Sequence, residues 1–302
     1  MRRRPESFRL IAAACLAACA FGAWGCKSIE NVVQTGTQVI DQSVDQWAPP
    51  QEAAKWRAAA KAARALTAQI TTPQEIVMGE SLAMRVFATL GRPVENEALT
   101  RYVTLVGRLV AVQSERPGLP YWFAVVKNDD PIALSLPGGY VFVTTGLLKS
   151  LRTESELACV LGHEIAHVAE KHGLETTLRD SRMAALANLG GELNKNVAGY
   201  SQLIDGLYDT LVHKGYDQEY EIKADLAGTR YAYMAGYNPE GLLPFLEESA
   251  RRNGALQFEF FQTHPSPTER IRQIRALLGS LGNYANAPTL KDRYGREALA
   301  KL

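Results

Sequence analysis

The sequence lacks an excess of charge of either sign, since 33 lysine and arginine residues balance 32 aspartate and glutamate residues. A protein that binds nucleic acid as its main partner needs a concentrated positive surface to meet the phosphates. The balance therefore argues against nucleic acid as a partner. The apolar content of 46% is ordinary and allows a sizeable core, in one large domain or two small ones.

Cysteine is scarce, and its positions exclude a disulfide framework. Three of the four cysteines lie inside or just after a short apolar run near the N-terminus: Cys15, Cys19 and Cys26. Cys159 alone lies elsewhere. Arginines followed by a short uncharged run are typical of an export signal. We therefore interpret residues 1–25 as a signal peptide.

The clustered cysteines resemble the signal of bacterial lipoproteins, in which a small residue precedes the cysteine that becomes acylated. Cys19 follows the better match, Leu16-Ala17-Ala18, whereas Cys26 stands where apolar residues give way to polar ones. We favour Cys26, because cleavage there leaves no other thiol in the tail, and keep Cys19 as the alternative. Lipid chains would attach an exported, periplasmic protein to a membrane without spanning it. An uncleaved signal anchor is less favoured, because the run is shorter than the roughly 20 residues that span a bilayer.

The pattern after this run divides the remaining chain into three parts. Residues 26–71 begin with a polar stretch that we interpret as a tether, followed by an alanine-rich segment with high helix propensity. The denser pattern of residues 72–280 predicts an α+β domain, mostly helical with a small β-sheet. The tail, residues 281–302, is polar and is expected to be peripheral. The chain contains no internal repeat.

Local patterns predict the elements of the main domain. Helices are expected over about 73–90, 95–113, 217–235 and 239–252, and irregularly over 174–215, where glycines interrupt the pattern. β-Branched and aromatic residues predict strands over 121–129 and 140–144. A further helix is expected to start near Thr153.

The segment LACVLGHEIAHVAEKHG, residues 157–173, has the apolar pattern of a buried helix but carries ionisable side chains. His163 and His167 are four residues apart, so that both imidazoles project from one face of a helix. Both rings can direct a nitrogen at one ion at roughly 2.0–2.1 Å, the distance that zinc prefers. A shared metal ion would satisfy these buried polar groups, which are otherwise unfavourable in an apolar environment.

Glu164 follows His163 and is rotated from it by about 100° around the helix. It cannot easily bind the same ion, but it can reach a water molecule there, take its proton and later deliver that proton to a leaving amine. This is the His-Glu-x-x-His pattern of zinc proteases. The alternative, a helix with coincidental polar residues, is disfavoured because the chain has only 5 histidines.

A catalytic zinc ion usually has three protein ligands and one open position. The class with a third histidine ten residues after His163 is excluded, because Gly173 occupies that position. His172 lies about 140° beyond His167 around a continuous helix. We therefore expect His172 at the surface or behind a ligand, rather than on the metal.

Two acidic residues in the segment DQEYEIKADLAG, residues 217–228, are candidates to complete the site. Glu221 and Asp225 are four residues apart and share one helical face. Glu221 could be the third ligand, and Asp225 could orient a ligand histidine through its second ring nitrogen. On spacing alone, an ordinary solvated acidic face is the alternative.

Four ordered motifs make the sequence similar to one zinc metallopeptidase family. They are His163-Glu164-Ile165-Ala166-His167, Glu221-Ile222-Lys223-Ala224-Asp225, Gly236-Tyr237-Asn238-Pro239 and Thr263-His264-Pro265 with Arg270. The family includes the CaaX prenyl protease, the heat-shock membrane protease HtpX and soluble periplasmic relatives that act in β-barrel assembly. The resemblance covers about residues 72–275.

The resemblance implies a zincin-like fold, with the small sheet beside the zinc-binding helix. It implies one Zn²⁺ per chain, bound by His163, His167 and Glu221. It also implies that Glu164 is the general base and acid of peptide hydrolysis.

Three further residues receive roles only through the resemblance. Asp225 would support a ligand from behind. His264 and Arg270 would lie near the site as catalytic residues, where such a histidine can approach the metal or stabilise the transition state. The chain departs from the family at Ile132, where many members have an asparagine.

The resemblance implies a zinc-dependent endopeptidase of the bacterial cell envelope, which hydrolyses misfolded or unassembled envelope proteins. Two alternatives stay open. One is an inhibited or non-catalytic zinc protein that acts as a chaperone or binding factor in envelope assembly. The other is a structural lipoprotein with a vestigial site, against which the intact Glu164 argues. Strand 140–144 is the candidate to pair with extended substrate, unless it is paired internally. Residues 174–215 could form a lid over the cleft.

Overall fold

The computed structural model describes residues 26–54, 57, 60, 70–187, 200–252 and 267–302. The chain divides into two compact units, residues 1–70 with 182–199 and residues 71–181 with 200–302. The signal peptide that we expect over residues 1–25 lies outside the described residues.

The first unit is helical where the sequence indicated a tether. Helix α1 is Cys26–Trp47, and residues 50–54 are helical as well. Val44 packs with Ala48 and Ala53 at buried positions. The polar stretch is thus helical, because a few apolar side chains at helical spacing suffice for packing even in a polar segment. Its role as a tether stays a prediction.

The rest of the described chain is mostly helical with one small sheet. Its helices are α2 (Thr72–Leu90), α3 (Glu97–Ala111), α4 (Thr145–Ser150), α5 (Glu154–Ala169), α6 (His172–Ala187), α7 (Tyr200–Asp209), α8 (Gln218–Met234), α9 (Leu242–Arg252), α10 (Pro267–Ser280) and α11 (Lys291–Glu297). A π-helical turn, Thr210–Lys214, follows α7, and 3₁₀ turns occupy Pro239–Gly241 and Leu299–Lys301. The α+β fold class is confirmed. The helices expected over 73–90, 95–113, 217–235 and 239–252 are also confirmed, within a few residues at each end.

The sheet contains three strands in the order β1-β3-β2. They are β1 (Trp122–Val126), β2 (Ala133–Leu136) and β3 (Tyr140–Thr144). β3 pairs in parallel with β1 and antiparallel with β2. Gly138 and Gly139, with φ of +81° and +101°, reverse the chain between β2 and β3 in conformations that other residues rarely adopt.

The position of β3 corrects the sequence-based candidate for a substrate-binding edge. The strand over 140–144 is confirmed, but it lies in the middle of the sheet and is paired on both sides. β2 is the edge strand on the side of β3 opposite β1. The sequence analysis did not predict β2, because its few residues precede a Pro-Gly-Gly turn and show no alternation of apolar and polar residues.

Helix α5 is buried along its whole length. It begins after Thr153, whose side-chain hydroxyl accepts a hydrogen bond from the backbone N–H of Glu156 at 3.1 Å. Glu154 and Glu156 place negative charge in the first turn, which favours the positive end of the helix dipole. β2 packs against one side of α5 and α8 against another, so that elements distant in sequence surround the helix.

The C-terminal tail is part of this core, and the expectation that it is peripheral is wrong. Tyr294 of α11 is fully buried, and its hydroxyl donates a hydrogen bond to the backbone carbonyl of Leu148 at 2.6 Å. Arg293 pairs with the buried carboxylate of Glu154 at the start of α5. Two side chains thus fix an otherwise polar segment, which composition could not reveal.

None of the helices that the structure describes contains an apolar stretch of the length that a bilayer requires.

Candidate metal centre

Three side chains from two helices converge in the core. His163 and His167 project from α5, and Glu221 projects from α8. The Nε2 atoms of the two histidines are 3.0 Å apart. The carboxylate oxygens of Glu221 lie 3.6 Å from the Nε2 atom of His163 and 3.3 Å from that of His167. In the described part of the chain these residues form the one cluster that could hold a metal ion.

The geometry of this cluster fits a metal ion. Ligand atoms at roughly 2.0–2.1 Å from zinc in a tetrahedral site lie about 3.4 Å from one another. The N···N separation of 3.0 Å, and the N···O separations of 3.3 Å to Oε1 and 3.6 Å to Oε2 of Glu221, lie near that value. Two imidazoles with one carboxylate are also a ligand set of catalytic zinc sites, with one position left for water or substrate. All three side chains are 2% exposed or less.

Asp225 orients the first histidine. The Nδ1 atom of His163 lies 2.8 Å from a carboxylate oxygen of Asp225, which favours the ring proton on Nδ1 and the lone pair on Nε2, the atom that faces the cluster. Burial, together with the neighbouring His167, lowers the pKa of His163. The imidazole is therefore neutral at pH 7, which is the form that binds metal ions.

Arg270 lies behind the two carboxylates. Its guanidinium donates two hydrogen bonds to Asp225, at 2.7 and 2.8 Å, and its Nη1 atom is 3.0 Å from Glu221. Burial by itself would raise the pKa of Asp225, but the charge and hydrogen bonds of Arg270, with those of His163, outweigh it and hold that pKa below its usual range. Arg270 thus keeps the carboxylate of Asp225 ionised and holds that of Glu221 in place.

Glu164 and the aromatic residue Tyr216 complete the surroundings of the cluster. Glu164 is 1% exposed on α5. The ring of Tyr216 stacks on the imidazole of His167, with 4.1 Å between ring centres. Burial, followed by the negative charges of Glu164 and Glu221, raises the pKa of Tyr216 well above its usual value. Tyr216 could not be predicted as a site residue, since it belongs to none of the motifs.

His172 lies directly behind the second ligand. Its Nδ1 atom is 3.0 Å from the Nδ1 atom of His167, and the side chain is 1% exposed. Burial, together with His167 and His163, lowers the pKa of His172 to about 3, so this ring is also neutral. Of the two positions that the sequence left open for His172, the structure places it behind a ligand. His264 lies outside the described residues.

A His-Glu-x-x-His helix beside a small sheet, joined by a carboxylate from a later helix, defines the class of zincin-like metallopeptidases. Comparison with protein families assigns the chain within that class: it matches the model of Peptidase family M48 over residues 97–278, which is more than half of its 302 residues. The chain belongs to this family, as its motifs indicated.

Individual relatives are similar over a large part of the chain. The chain is 29% identical to a β-barrel assembly-enhancing protease of Yersinia pestis over 69% of its own length and 44% of the relative's. It is 28% identical to the metalloprotease LoiP of Escherichia coli, over 63% of its length and 74% of the relative's. It is also 28% identical to the mitochondrial metalloendopeptidase OMA1 of Schizosaccharomyces pombe, over 59% and 53%. The chain therefore spans less than half the length of the β-barrel assembly-enhancing proteases that it matches.

Proposed function

We propose that the protein is a zinc-dependent endopeptidase. The observation that supports this most strongly is the convergence of His163, His167 and Glu221, with Glu164 on the same helix as the two histidines. These three ligands would hold one Zn²⁺, which when bound acts as a Lewis acid on the scissile carbonyl and lowers the pKa of water towards neutrality.

Glu164 would carry the proton. Its carboxylate takes a proton from the attacking water and then delivers it to the amine that leaves. Arg270 would act on the site indirectly, by holding the carboxylates of Asp225 and Glu221, which its guanidinium contacts. His264 stays a candidate to stabilise the transition state or to approach the metal.

The extended substrate would pair with β2 rather than with β3. β3 uses both of its edges for pairing inside the sheet, and no other strand of the described chain pairs with the outer edge of β2. β2 also packs against α5, which carries the site. An unpaired strand edge offers the N–H and C=O groups to which a peptide backbone can add.

Access of a substrate requires a movement, because the site residues are 2% exposed or less. We infer that the lid is the segment 200–216, which comprises α7, the π-helical turn and the two residues after it. This is a shorter segment than the 174–215 expected from the sequence. The turn contacts β2, and Tyr216 covers His167. α7 rests on α2 through contacts at the surface, an ion pair of Asp205 with Arg85 at 2.7 Å and a hydrogen bond from Tyr208. These exposed contacts contribute little stability. The segment also buries Ile204, Leu207 and Leu211, at roughly 1.5–3 kcal/mol for each side chain, so the open form is a minor state.

The natural substrates would be misfolded or unassembled proteins of the bacterial envelope. The names of the similar β-barrel assembly-enhancing proteases support this class of substrate. We propose that the chain is exported to the periplasm and attached to a membrane by lipid on Cys26, with Cys19 as the alternative. Metabolic labelling with a fatty acid, compared between Cys26→Ala and Cys19→Ala, would identify the modified residue.

The test of the activity compares the wild type with Glu164→Gln. The variant should bind zinc in equal amount, measured by elemental analysis, but lose cleavage of casein by at least about 100-fold, as expected for a general base. Glu219→Gln, an exposed change on α8, is the matched control and should cleave normally. A chelator should abolish cleavage by the wild type. Normal cleavage by Glu164→Gln would contradict the proposed role.

The closed site also fits the alternative of an inhibited zinc protein that binds unassembled partners. That alternative predicts zinc binding with no cleavage of any unfolded polypeptide by the wild type. The same casein assay therefore separates the two functions.

A further inference from the structure

We propose that His172 is a positioning residue for the metal ligand His167. It accepts a hydrogen bond from the ring of His167 and connects that ring to the carboxylate of Glu170. This inference rests on the proposed function, since it takes His167 to be a metal ligand.

The positions of the ring nitrogens assign the protons. The Nδ1 atoms of His167 and His172 are 3.0 Å apart, so that only one of them can carry the proton between them. A metal ligand needs its lone pair on Nε2, which places the proton of His167 on Nδ1. His172 must then accept at Nδ1 and carry its own proton on Nε2. That atom lies 3.3 Å from the carboxylate of Glu170, which can accept the proton's hydrogen bond.

A break in the helix brings His172 to this position. α5 ends at Ala169, and Lys171 has a left-handed φ of +59° before α6 begins at His172. On a continuous helix, His172 would point about 140° away from His167. The change of direction at Lys171 instead returns the side chain to the back of the ligand.

The buried carboxylate of Glu75 and two cations hold this break in place. Lys171 pairs with the buried carboxylate of Glu75 on α2. Arg116 donates a hydrogen bond to the same carboxylate at 2.8 Å and another to the carbonyl of Val168 at 3.3 Å, near the end of α5. The left-handed residue is therefore fixed by tertiary contacts and not by a glycine, which would be the usual choice.

The two ligand histidines thus have different supports. His163 is oriented by the carboxylate of Asp225, and His167 by a neutral imidazole with a carboxylate beyond it. Aromatic rings restrict the rotation of His167 and His172. Tyr216 stacks on His167, and the ring centre of Tyr220 lies 4.5 Å from that of His172. The ring of His167 is held in one orientation by these contacts.

The experiment measures zinc affinity of the metal-free protein by competition with a fluorescent chelator. His172→Phe keeps a ring but removes the acceptor and should weaken zinc binding by about 10–100-fold, the range typical for partners of ligand histidines. His172→Asn places an amide oxygen near the position of Nδ1 and should bind zinc within about threefold of the wild type. Trp122→Phe, at an exposed position of β1 away from the site and the lid, is the control and should bind normally.

The outcomes separate this inference from the proposed function. Equal zinc affinity of His172→Phe and wild type would overturn the role of His172. Equal zinc affinity of His172→Asn and His172→Phe, both below the wild type, would also overturn it, because lost packing alone would then explain the weaker binding. If His172→Phe does not fold, Glu170→Ala replaces it. We expect this variant to bind zinc about two- to fivefold more weakly, and unchanged affinity would overturn the proposal. A wild type that binds no zinc would instead contradict the proposed function itself.

Discussion

Gly162 of α5 and Gly228 of α8 face each other where the two helices cross. A Cβ atom on Gly162 would lie 2.6 Å from the carbonyl oxygen of Gly228, and one on Gly228 would lie 2.4 Å from the backbone nitrogen of His163. Both distances are shorter than any ordinary contact, so the helices approach this closely only because both residues lack a side chain. The close approach brings Glu221, two turns before Gly228 on α8, within reach of the two histidines.

Gly228→Ala should therefore damage the metal centre as well as the fold. The added methyl group forces the helices apart, and we expect a loss of about 1–3 kcal/mol in the free energy of unfolding, typical of overpacking. Zinc affinity should fall by at least about tenfold, since a small shift of Glu221 spoils the ligand geometry. Gly279→Ala on α10, where a Cβ atom meets nothing within 4 Å, is the control and should be neutral or stabilising. Unchanged zinc affinity of Gly228→Ala would contradict this account of the crossing.

Arg270→Met should destabilise the protein strongly. The change leaves the carboxylates of Asp225 and Glu221 buried without their guanidinium, and removal of one partner from a buried ion pair costs about 3–5 kcal/mol. Urea unfolding of the metal-free protein measures this loss. Arg275→Met, an exposed change on the same helix, should stay within about 0.5 kcal/mol of the wild type. A similar effect of both changes would contradict the role of Arg270 in stabilising the two buried carboxylates.

Arg293→Ala tests the attachment of the C-terminal tail. The buried carboxylate of Glu154 also accepts hydrogen bonds from Tyr102 and Tyr237, at 2.9 and 2.7 Å, but Arg293 is the cation that it pairs with among the described residues. We expect a loss of about 1.5–3 kcal/mol in thermal or urea unfolding, the range for hydrogen bonds to a charged group. Arg296→Ala, exposed on α11, should have little effect. An equally stable Arg293→Ala protein would show that the tail does not depend on this contact.

Asp205→Lys tests the lid through its surface contact with Arg85. Repulsion replaces an attraction of up to about 1 kcal/mol, so that the open form should be populated up to about fivefold more. Casein cleavage and sensitivity of α7 to limited proteolysis should rise together. The charge-reversed pair Arg85→Glu with Asp205→Lys restores the attraction and should restore both values. Faster cleavage in the double variant as well would count against the lid.

Cys159 provides a probe of global unfolding. It is fully buried in α5, and burial raises the pKa of its thiol to about 12. Because the thiolate is the reactive form, the native protein should not react with a thiol reagent at pH 8, and raising the pH to 9 should change this little. In a chain with Cys15, Cys19 and Cys26 replaced by serine, labelling should follow the urea unfolding transition. Rapid labelling of the native protein would show that α5 opens locally.

Much of the chemistry was predictable from local sequence. The spacing of His163 and His167 on a buried helix, with Glu164 between them, needs only helical geometry to indicate a metal site. The helices and two of the three strands also follow from periodicity and residue type. Glu221 was a candidate from spacing and motif resemblance, but an acidic helical face is common, and only the folded chain brings that carboxylate to the histidines.

The remaining features depend on contacts between segments far apart in sequence. β2 lies at an edge of the sheet and β3 in its middle, and no property of either strand alone decides that order. The position of His172 depends on the left-handed Lys171, which Glu75 holds from another helix. The sequence by itself thus determined which groups do the chemistry, since side-chain type and helical period are local properties. Tertiary structure decided how those groups are oriented and shielded from solvent. Orientation and shielding depend on packing and on ion pairs with buried groups, which form only when segments distant in sequence come together.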